Sequence, residues 1–453
     1  MERQQDYVLR TVEERGIRWI QLWFTDVLGI PKTFNITPAE LENALEEGMT
    51  FDGSAIDGFS RIQESDVLAH PDPKTFQILP WRPSDGGGPD MGRAPSARVF
   101  CDVLNLDGSP FEGCPRHVLR RALQRAREKG FSFYAAPELE YFYFADGELA
   151  SGRPVPLDHG SYFELTVGDK ASELRKQTVL TLEDMGIPVE YSQHEDAPSQ
   201  HEIDLRYTDA LTMADTVMSV RMVVKELARE HGVYATFMPK PLAGVQGSGM
   251  HTHFSLFEGD TNAFHDEADE YQLSEVGKHF VAGLLHHARE ITAITNQWVN
   301  SYKRLVSGYE APVYVSWARN NRSALVRIPH AKRGKKESTR VEYRSPDPAT
   351  NPYLAFAAVL AAGLRGVEEG YELPPEASAN LYQMTPEERL AEGIVSLPGS
   401  LAEAVDEMEH SELMAETLGE HVFEWFIRNK RAEWADYKTQ VTPFELDRYY
   451  GML

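Results

Sequence analysis

Hydrophobic positions recur with a two-residue period in some stretches of the chain and with a helical period in others. In the first 113 residues this pattern predicts helices near 2–15 and 37–47 and strands at 17–24, 76–81 and 97–103. Thr37 followed by Pro38 supports the second helix, because a capping residue then precedes a proline at the first helical position. The Gly- and Pro-rich stretch 82–95 predicts an exposed loop.

From residue 114 onward, strands and helices alternate along the chain. A basic amphipathic helix follows Cys114, and the pattern then predicts strands at 131–144, 188–194, 202–206, 234–238 and 250–257 and helices at 170–186, 209–231, 273–295 and 350–370. Such interleaving is typical of α+β or α/β proteins. We therefore predict two domains, a small one over 1–113 and a large one over 114–453.

The longest nearly apolar run, 353–364, is shorter than the roughly 18 to 20 residues that cross a bilayer. It predicts a buried helix, and we expect no membrane association. The N-terminal residues lack the apolar segment of a signal peptide. Two cysteines, Cys101 and Cys114, are too few to cross-link a chain of 453 residues, which favours a reducing compartment. We expect a cytoplasmic protein.

The net charge limits the kinds of molecule that the protein is expected to bind. The chain has 45 Lys and Arg against 70 Asp and Glu, a net charge of −25. This balance argues against a general nucleic-acid or anionic-membrane binder. The window 322–344 is the exception, with eight Lys and Arg against Glu337 and Glu342. A positive segment in an acidic protein indicates an anionic small ligand.

Carboxylates occur in pairs that strand geometry would bring together. Glu138 and Glu140 lie two apart in an apolar stretch, so a strand would project both from one face. Alone, this pair fits a half-exposed strand as well as it fits a cation site. Glu195 and Glu202 flank a proline turn, and alone they favour a solvated loop.

The same alternation groups two further sets of side chains, first His251, His253 and Ser255, then Arg340, Glu342 and Arg344. A lone histidine in a strand is usually a packed bystander. Five carboxylates and a histidine together suit Mg²⁺ or Mn²⁺, and the arginines suit phosphate or carboxylate. The combination is typical of phosphoryl transfer. Neither a Walker-type glycine loop nor a dinucleotide fingerprint is present.

Two loops add to these candidates. The acidic segment 51–59 is bracketed by glycines, and the segment 300–312 ends in a Gly–Tyr–Glu–Ala–Pro turn that could form a mobile flap. Taken singly, each is more typical of an ordinary turn.

Together these segments resemble type I glutamine synthetase along essentially the whole chain. The matching stretches are 51–54 (FDGS), 137–140 (PELE), 194–202 (HE…QHE), 237–241 (FMPKP), 247–253 (GSGMHTH), 300–306 (NSYKRLV), 321–329 (NRSA…RIP) and 340–348 (RVEYR…PDP). The resemblance implies an α+β protein with an N-terminal β-grasp domain over 1–113. It also implies a catalytic domain over 114–453 whose strands form a funnel open at both ends.

The resemblance also implies roles for individual residues. One metal would be held by Glu140, Glu195 and Glu202, and another by Glu138, His251 and Glu342. ATP would contact Glu190, Tyr207, His253, Ser255 and Arg340, with Arg322 and Arg327 near the transferring phosphate. Glutamate would be held by Gln246, Gly247, His251, Arg304 and Arg344. Glu310 would be the flap residue that closes the site and accepts a proton, and Asp52 would assist from a neighbouring subunit.

The implied reaction has two steps and needs two or three Mg²⁺ or Mn²⁺ ions per site. ATP phosphorylates the side chain of glutamate to γ-glutamyl phosphate, and a neutral amine then displaces the phosphate. The implied assembly is a dodecamer of two hexameric rings with active sites between subunits. Its rings would be clasped by the C-terminal segment 443–450.

Several positions depart from the family pattern. Gln246 stands where Asn is usual, Ala55 and Asp57 alter the acidic loop, and Ser307 stands where Pro is usual. These changes lie near the acceptor, so we expect a polyamine acceptor, as in actinobacterial paralogues of the γ-glutamylpolyamine synthetase kind. The alternatives are ammonia, which would make the protein a glutamine synthetase, and a non-catalytic member of the fold. Tyr382 lies where some relatives are adenylylated, but its surrounding residues differ.

Overall fold

The computed structural model describes residues 2–56, 58, 66–81, 94–145, 153–165, 168–330, 334–377 and 381–453. Nearly all of the loop predicted at 82–95 therefore lies outside the described residues, as does Asp57. None of the helices described is long and apolar enough to cross a membrane. Cys101 and Cys114 are buried free thiols. The predicted cytoplasmic location stays a prediction.

The N-terminal region forms one sheet with two helices packed against it. The helices are α1 (Glu2–Glu14) and α2 (Pro38–Glu47), and the strands are β1 (Trp19–Thr25), β2 (Pro31–Ile36), β3 (Met49–Asp52), β4 (Asp66–Pro71), β5 (Gln77–Ile78) and β6 (Ser96–Leu104). The strand order is β2-β1-β6-β4-β3, with β5 beside β6. Central β1 and β6 are parallel, and the other pairs are antiparallel. Val8, Leu22, Leu41 and Val99 share one apolar core.

The larger region contains a sheet that positions the candidate site. Its strands are β7 (Ser132–Phe144), β8 (Val189–His194), β9 (Gln200–Leu205), β10 (Thr208–Asp209), β11 (Tyr234–Thr236), β12 (Thr252–Glu258), β13 (Thr261–Asn262), β14 (Tyr314–Ala318), β15 (Ala324–Arg327) and β16 (Val341–Tyr343). The main order is β14-β15-β16-β12-β7-β9-β8. Long β7 pairs antiparallel with both β9 and β12, so these strands lie at the centre.

Helices surround this sheet. They are α3 (Pro115–Glu128), α4 (Lys170–Asp184), α5 (Ala210–Glu230), α6 (Glu275–His286), α7 (Ala288–Thr295), α8 (Ser301–Arg304), α9 (Pro352–Glu369), α10 (Pro386–Ala391), α11 (Leu401–Glu409), α12 (Glu412–Leu418), α13 (Glu420–Tyr437) and α14 (Pro443–Tyr449). The predicted buried helix is α9, whose apolar residues belong to the main core. At Gly366 an added Cβ would lie 2.1 Å from the carbonyl oxygen of His279, so only glycine permits this close approach of α9 to α6.

A buried ion network joins the two regions. Arg116 of α3 is 4% exposed and lies 2.7 Å from Asp102 and 3.0 Å from Asp72, both in the N-terminal region. Its guanidinium also donates two hydrogen bonds to Asp215 of α5, at 3.1 and 2.9 Å. The hydroxyl of Tyr353 donates to the same carboxylate at 2.6 Å. One arginine therefore holds carboxylates from both sides of the junction, although the boundary at 113/114 stays a prediction.

Some predicted elements differ from the structure. The single helix predicted at 273–295 is wrong, because the chain leaves the helical conformation at His287 (φ −97°, ψ 7°), between α6 and α7. The imidazole of His287 hydrogen-bonds Glu290 in the first turn of α7, at 3.0 Å. No glycine or proline marks this break, so the hydrophobic pattern continues across it. The strand predicted at 76–81 has only two residues in the structure, those of β5. The sequence pattern did not predict β2, β3 or β4.

Candidate active site

A cavity of about 870 Å³ opens over the face of the large sheet. It is lined by fifteen of the predicted site residues, namely Glu138, Glu140, Glu195, Glu202, Gln246, Gly247, His251, His253, Arg304, Glu310, Arg322, Arg327, Arg340, Glu342 and Arg344. These residues come from sequence positions more than 200 apart, and the strand order brings them to one place. The charged face predicted from the alternation therefore exists as a single concave surface.

A second cavity, of about 480 Å³, adjoins the first. It contains the remaining predicted ATP contacts, Glu190, Tyr207 and Ser255. Glu138, Tyr191, His253 and Arg340 line both cavities. The residues predicted to contact ATP are thus divided, because Arg322 and Arg327 line only the larger cavity.

One candidate cation group consists of Glu138, His251 and Glu342, whose ligand atoms lie within 4.8 Å of one another. Nδ1 of His251 lies 3.2 Å from Glu138, and Nε2 of His253 lies 2.8 Å from the other oxygen of that carboxylate. Burial raises the pKa of Glu138, but the hydrogen bonds from the two histidines outweigh burial and hold that pKa well below its usual value. Glu138 is therefore an anion at neutral pH.

The carboxylates of Glu140, Glu195 and Glu202 form the second predicted set. Nε2 of Gln193 donates to Glu195 at 2.8 Å and to Glu202 at 3.0 Å, and Nε2 of Gln200 donates to Glu140 at 2.9 Å. Burial, followed by the charge of Glu202, raises the pKa of Glu140 to about 8. Burial and a hydrogen bond with Glu202 raise the pKa of Glu195 to about 11. Buried carboxylates with raised pKa values fit a site whose charge is completed by metal cations.

Asp204 is a further acidic residue at this position that we did not predict. It groups with Glu138 and Glu202, with one ligand atom of each within 4.8 Å of the others. Its Oδ1 atom is buried without a hydrogen-bond partner among the described residues. Burial and Glu202 raise the pKa of Asp204 to about 11. Strand alternation along Gln200, Glu202 and Asp204 in β9 was the signal that could have identified it.

Arginines line the larger cavity and differ in which protein groups each of them already contacts. Nη1 of Arg327 and Nε of Arg344 contact opposite oxygens of Glu342, at 3.0 and 3.2 Å. Arg304 is 2% exposed and donates to the carbonyls of Ser345 at 2.7 Å and Arg344 at 3.2 Å. Arg304 is thus held rigidly at the cavity wall. Arg322 is exposed, with its side chain at the cavity.

The two loop residues predicted to move protons lie in different places. Glu310 lines the larger cavity and has a positive φ of 57°, an uncommon conformation for a residue other than glycine. Next to it, the carbonyl of Ala311 accepts a hydrogen bond from the hydroxyl of Tyr382 at 2.8 Å. Asp52 is exposed at the end of β3, where it accepts hydrogen bonds from Ser54 at 2.9 and 2.6 Å. Asp52 lines neither cavity of its own chain.

Comparison with protein families identifies the architecture. The family model described as "Glutamine synthetase, catalytic domain" matches residues 112–449, and the one described as "Glutamine synthetase, beta-Grasp domain" matches residues 16–106. The chain belongs to the glutamine synthetase family. This confirms the predicted fold class and makes the protein an ATP-dependent ligase that forms carbon–nitrogen bonds. Divalent metals and ATP are used throughout this family.

Relatives of the glutamine synthetase family match along the full chain. A protein named "Glutamine synthetase" from Mycobacterium tuberculosis is 58% identical over 452 residues, which is 100% of both chains. Another of that name from Thermotoga maritima is 51% identical over 444 residues, 98% of each chain. A solved structure described as a GmaS/ADP complex has a TM-score of 0.87 at 33% identity, covering 98% of this chain and 99% of that one.

Proposed function

We propose that this enzyme is a glutamine synthetase, which joins ammonia to the γ-carboxyl group of glutamate through γ-glutamyl phosphate. The observation that carries this proposal is full-length identity of 58% to proteins that bear this name. Ammonia therefore replaces the polyamine acceptor that we expected from the sequence as the leading candidate. The arrangement of charge in the two cavities supports the same chemistry.

The two cavities suggest where the substrates bind. The smaller cavity, with Tyr207 and Ser255, would take the adenosine part of ATP. The larger cavity would take glutamate, through Gln246, Gly247 and the arginines at its wall. The γ-phosphoryl group would then pass the side chains common to both cavities, among them His253 and Arg340.

The buried carboxylates would hold the metal ions. Glu138, His251 and Glu342 form one candidate set, and Glu140, Glu195 and Glu202 form the other, with Asp204 beside it. Bound Mg²⁺ or Mn²⁺ would supply positive charge that stabilises the phosphate oxygens. We propose two or three ions per site.

The arginines would stabilise the charge that develops during phosphoryl transfer. Arg322 and Arg327 line the larger cavity, and Arg340 lines both cavities. Preorganised cations in a water-poor site stabilise a transition state more effectively than mobile water does.

Proton removal would complete the second step, because only neutral ammonia is nucleophilic. Glu310, which lines the larger cavity, would accept this proton. Asp52 of the partner subunit would assist, which agrees with the exposure of Asp52 and its absence from the cavities of its own chain. This arrangement needs an oligomer with sites between subunits, and we propose the dodecamer of two rings.

A polyamine acceptor is the second candidate. Gln246, one methylene longer than the usual Asn, lines the larger cavity and changes the space beside the glutamate position. Phosphate release should be measured with ATP, glutamate and Mg²⁺ while the acceptor is ammonium, putrescine or spermidine. We expect turnover with ammonium. Turnover with polyamines alone would establish the second candidate, and no turnover with any acceptor would establish a non-catalytic protein.

A further inference from the structure

Two histidines adjacent to the candidate metal carboxylates have no role in the proposed reaction. His194 precedes Glu195, and His201 precedes Glu202. They face each other across the β8–β9 pair, and their rings lie 4.8 Å apart. Both are buried, at 1% and 0% exposure. Because successive strand residues point to opposite faces, these imidazoles lie behind the sheet face that carries the carboxylates.

Asp158 joins both histidines from the loop 153–165. Its Oδ1 lies 2.9 Å from Nε2 of His194, and its Oδ2 lies 3.5 Å from Nε2 of His201. Oδ1 also accepts a hydrogen bond from the backbone N–H of Ser199, at 2.9 Å, in the turn between the strands. The backbone N–H of Asp158 in turn donates to the hydroxyl of Ser199, also at 2.9 Å. One carboxylate therefore contacts both strands and the turn between them.

Asp158, His194 and His201 are close enough together to hold a cation, but the hydrogen-bond partner of His201 favours an anchor. Nη1 of Arg175 lies 2.7 Å from Nδ1 of His201. Arginine can only donate, so Nδ1 accepts and the hydrogen of the neutral ring is on Nε2, facing Asp158. Nδ1 of His194 lies 2.6 Å from the carbonyl oxygen of Glu195, which can only accept. Asp158 thus links the loop to the hairpin through hydrogen bonds with His194 and Ser199 and through a longer contact, of 3.5 Å, with His201.

The same loop reaches the larger cavity at its other end. Tyr162 and Phe163 line that cavity, and the backbone N–H of Phe163 donates to the carbonyl of His194 at 3.1 Å. Gly160 lies against the imidazole of His194, where an added Cβ would be 2.6 Å from Nε2. The loop is therefore packed against the hairpin on both sides of Asp158.

We propose that Asp158 is a positioning residue that fixes Glu195 and Glu202 for metal binding. The inference rests on the proposed metal sites. Glu195 follows β8 and Glu202 lies in β9, and Asp158 contacts the histidine that precedes each of them. Without these contacts of Asp158, Glu195 and Glu202 are still present, but the distance between their carboxylates can vary. Partners that orient ligands in this way typically change metal affinity by about 10–100-fold.

The test compares Asp158→Asn with the matched control Asp169→Asn in the full-length protein. Asp169 caps α4 through the N–H groups of Ala171 and Ser172, both at 3.0 Å, and lines neither cavity of the site. Mn²⁺ affinity is measured by calorimetry without substrates, and the Mg²⁺ concentration for half-maximal phosphate release is measured separately. We expect Asp158→Asn to weaken Mn²⁺ binding at least about 10-fold and to raise the Mg²⁺ requirement similarly, with the control unchanged.

Unchanged Mn²⁺ affinity in folded Asp158→Asn would overturn the proposal, even if the variant unfolds at a lower temperature. If that variant does not fold, His201→Gln removes one of the two links and is judged by the same measurement. Absence of Mn²⁺ binding in the wild-type protein would instead contradict the proposed metal sites, so the two failures are distinguishable.

Discussion

Nη1 of Arg327 lies 3.0 Å from Oε2 of Glu342, so an arginine of the basic window contacts a carboxylate of the candidate metal site. Arg344 contacts the other oxygen of Glu342, which is 1% exposed. Glu342 thus stands between the groups proposed to hold metal and those proposed to hold anionic substrates. Its single negative charge lies between two guanidinium groups in a confined space.

Glu342→Gln should therefore abolish most of the enzyme's activity while preserving the size and shape of the side chain. The amide cannot neutralise the two arginines and is a poor ligand for a hard divalent cation. We expect kcat for Mg²⁺-dependent phosphate release to fall by about 100-fold or more, a loss of the size seen when one charge-stabilising group is removed. Glu372→Gln, at an exposed position that lines neither cavity, is the control. Wild-type activity in Glu342→Gln would contradict the metal assignment.

Metal binding should release protons near neutral pH. Without metal, the raised pKa values of Glu140 (about 8), Glu195 (about 11) and Asp204 (about 11) keep these carboxylates largely protonated at neutral pH. Metal ligands must be deprotonated, so binding displaces those protons. Addition of Mg²⁺ in weak buffer at about pH 7 should acidify the solution, and this is measured with a pH electrode.

The same shifts predict how the stability of the metal-free protein depends on pH. A carboxylate whose pKa is raised on folding contributes stability that is complete below its unfolded value and is lost as pH rises through its folded value. For Glu140 this loss extends from the ordinary value of 4.5 to about 8. The unfolding temperature without metal should fall between about pH 5 and pH 8, and saturating Mg²⁺ should reduce that fall. A rise over this range would contradict the prediction.

Tyr382→Phe should increase the loss of γ-glutamyl phosphate to water. The variant removes the hydrogen bond to the carbonyl of Ala311, beside Glu310, and such a bond contributes about 0.5–1.5 kcal/mol. The turn would then close less completely over the reactive intermediate. We expect glutamate-dependent ATP hydrolysis without ammonium to rise a few-fold relative to the rate with ammonium. Tyr371 packs against His286 away from both cavities, so the control Tyr371→Phe should leave the ratio of the rates without and with ammonium unchanged.

Arg116→Met should destabilise the junction between the two sheets. It leaves the buried carboxylate of Asp215 without its cation, whereas Asp72 and Asp102 keep their contacts with Arg120. Removal of one partner from a buried ion pair typically costs about 3–5 kcal/mol. Denaturant unfolding should show a loss of this size. Arg125→Met, which removes an arginine 43% exposed on the same helix, should cost less than about 1 kcal/mol.

Strand alternation predicted much of the site from the sequence. It grouped Glu138 with Glu140 and Arg340 with Glu342 and Arg344, and the structure places all five at one cavity. The predicted strand at 131–144 and helix at 350–370 also agree closely with β7 and α9. These elements are long and strongly patterned, so local sequence determines them.

Other features depend on long-range contacts that local patterns do not encode. Strand β3 has only four residues and gains its hydrogen bonds from β4. Alternation places Asp204 on the same strand face as Glu202, but its contact with Glu138 depends on β9 lying beside β7, where these two residues pair. The link from Asp158 to His194 and His201 likewise joins segments about 40 residues apart. The exposed position of Asp52 agrees with an intersubunit role, and that role stays a prediction.

The wall common to the two cavities has a consequence for inhibition. Apart from Glu138, Tyr191, His253 and Arg340, the two linings consist of different residues. On the proposed assignment, a compound confined to the smaller cavity and a glutamate-like compound in the larger one would share only these four residues. Any effect of one compound on the affinity of the other equals a coupling free energy, which is reciprocal by thermodynamic necessity. Measurement of that coupling in variants of His253 would report how strongly the shared wall links the two compounds.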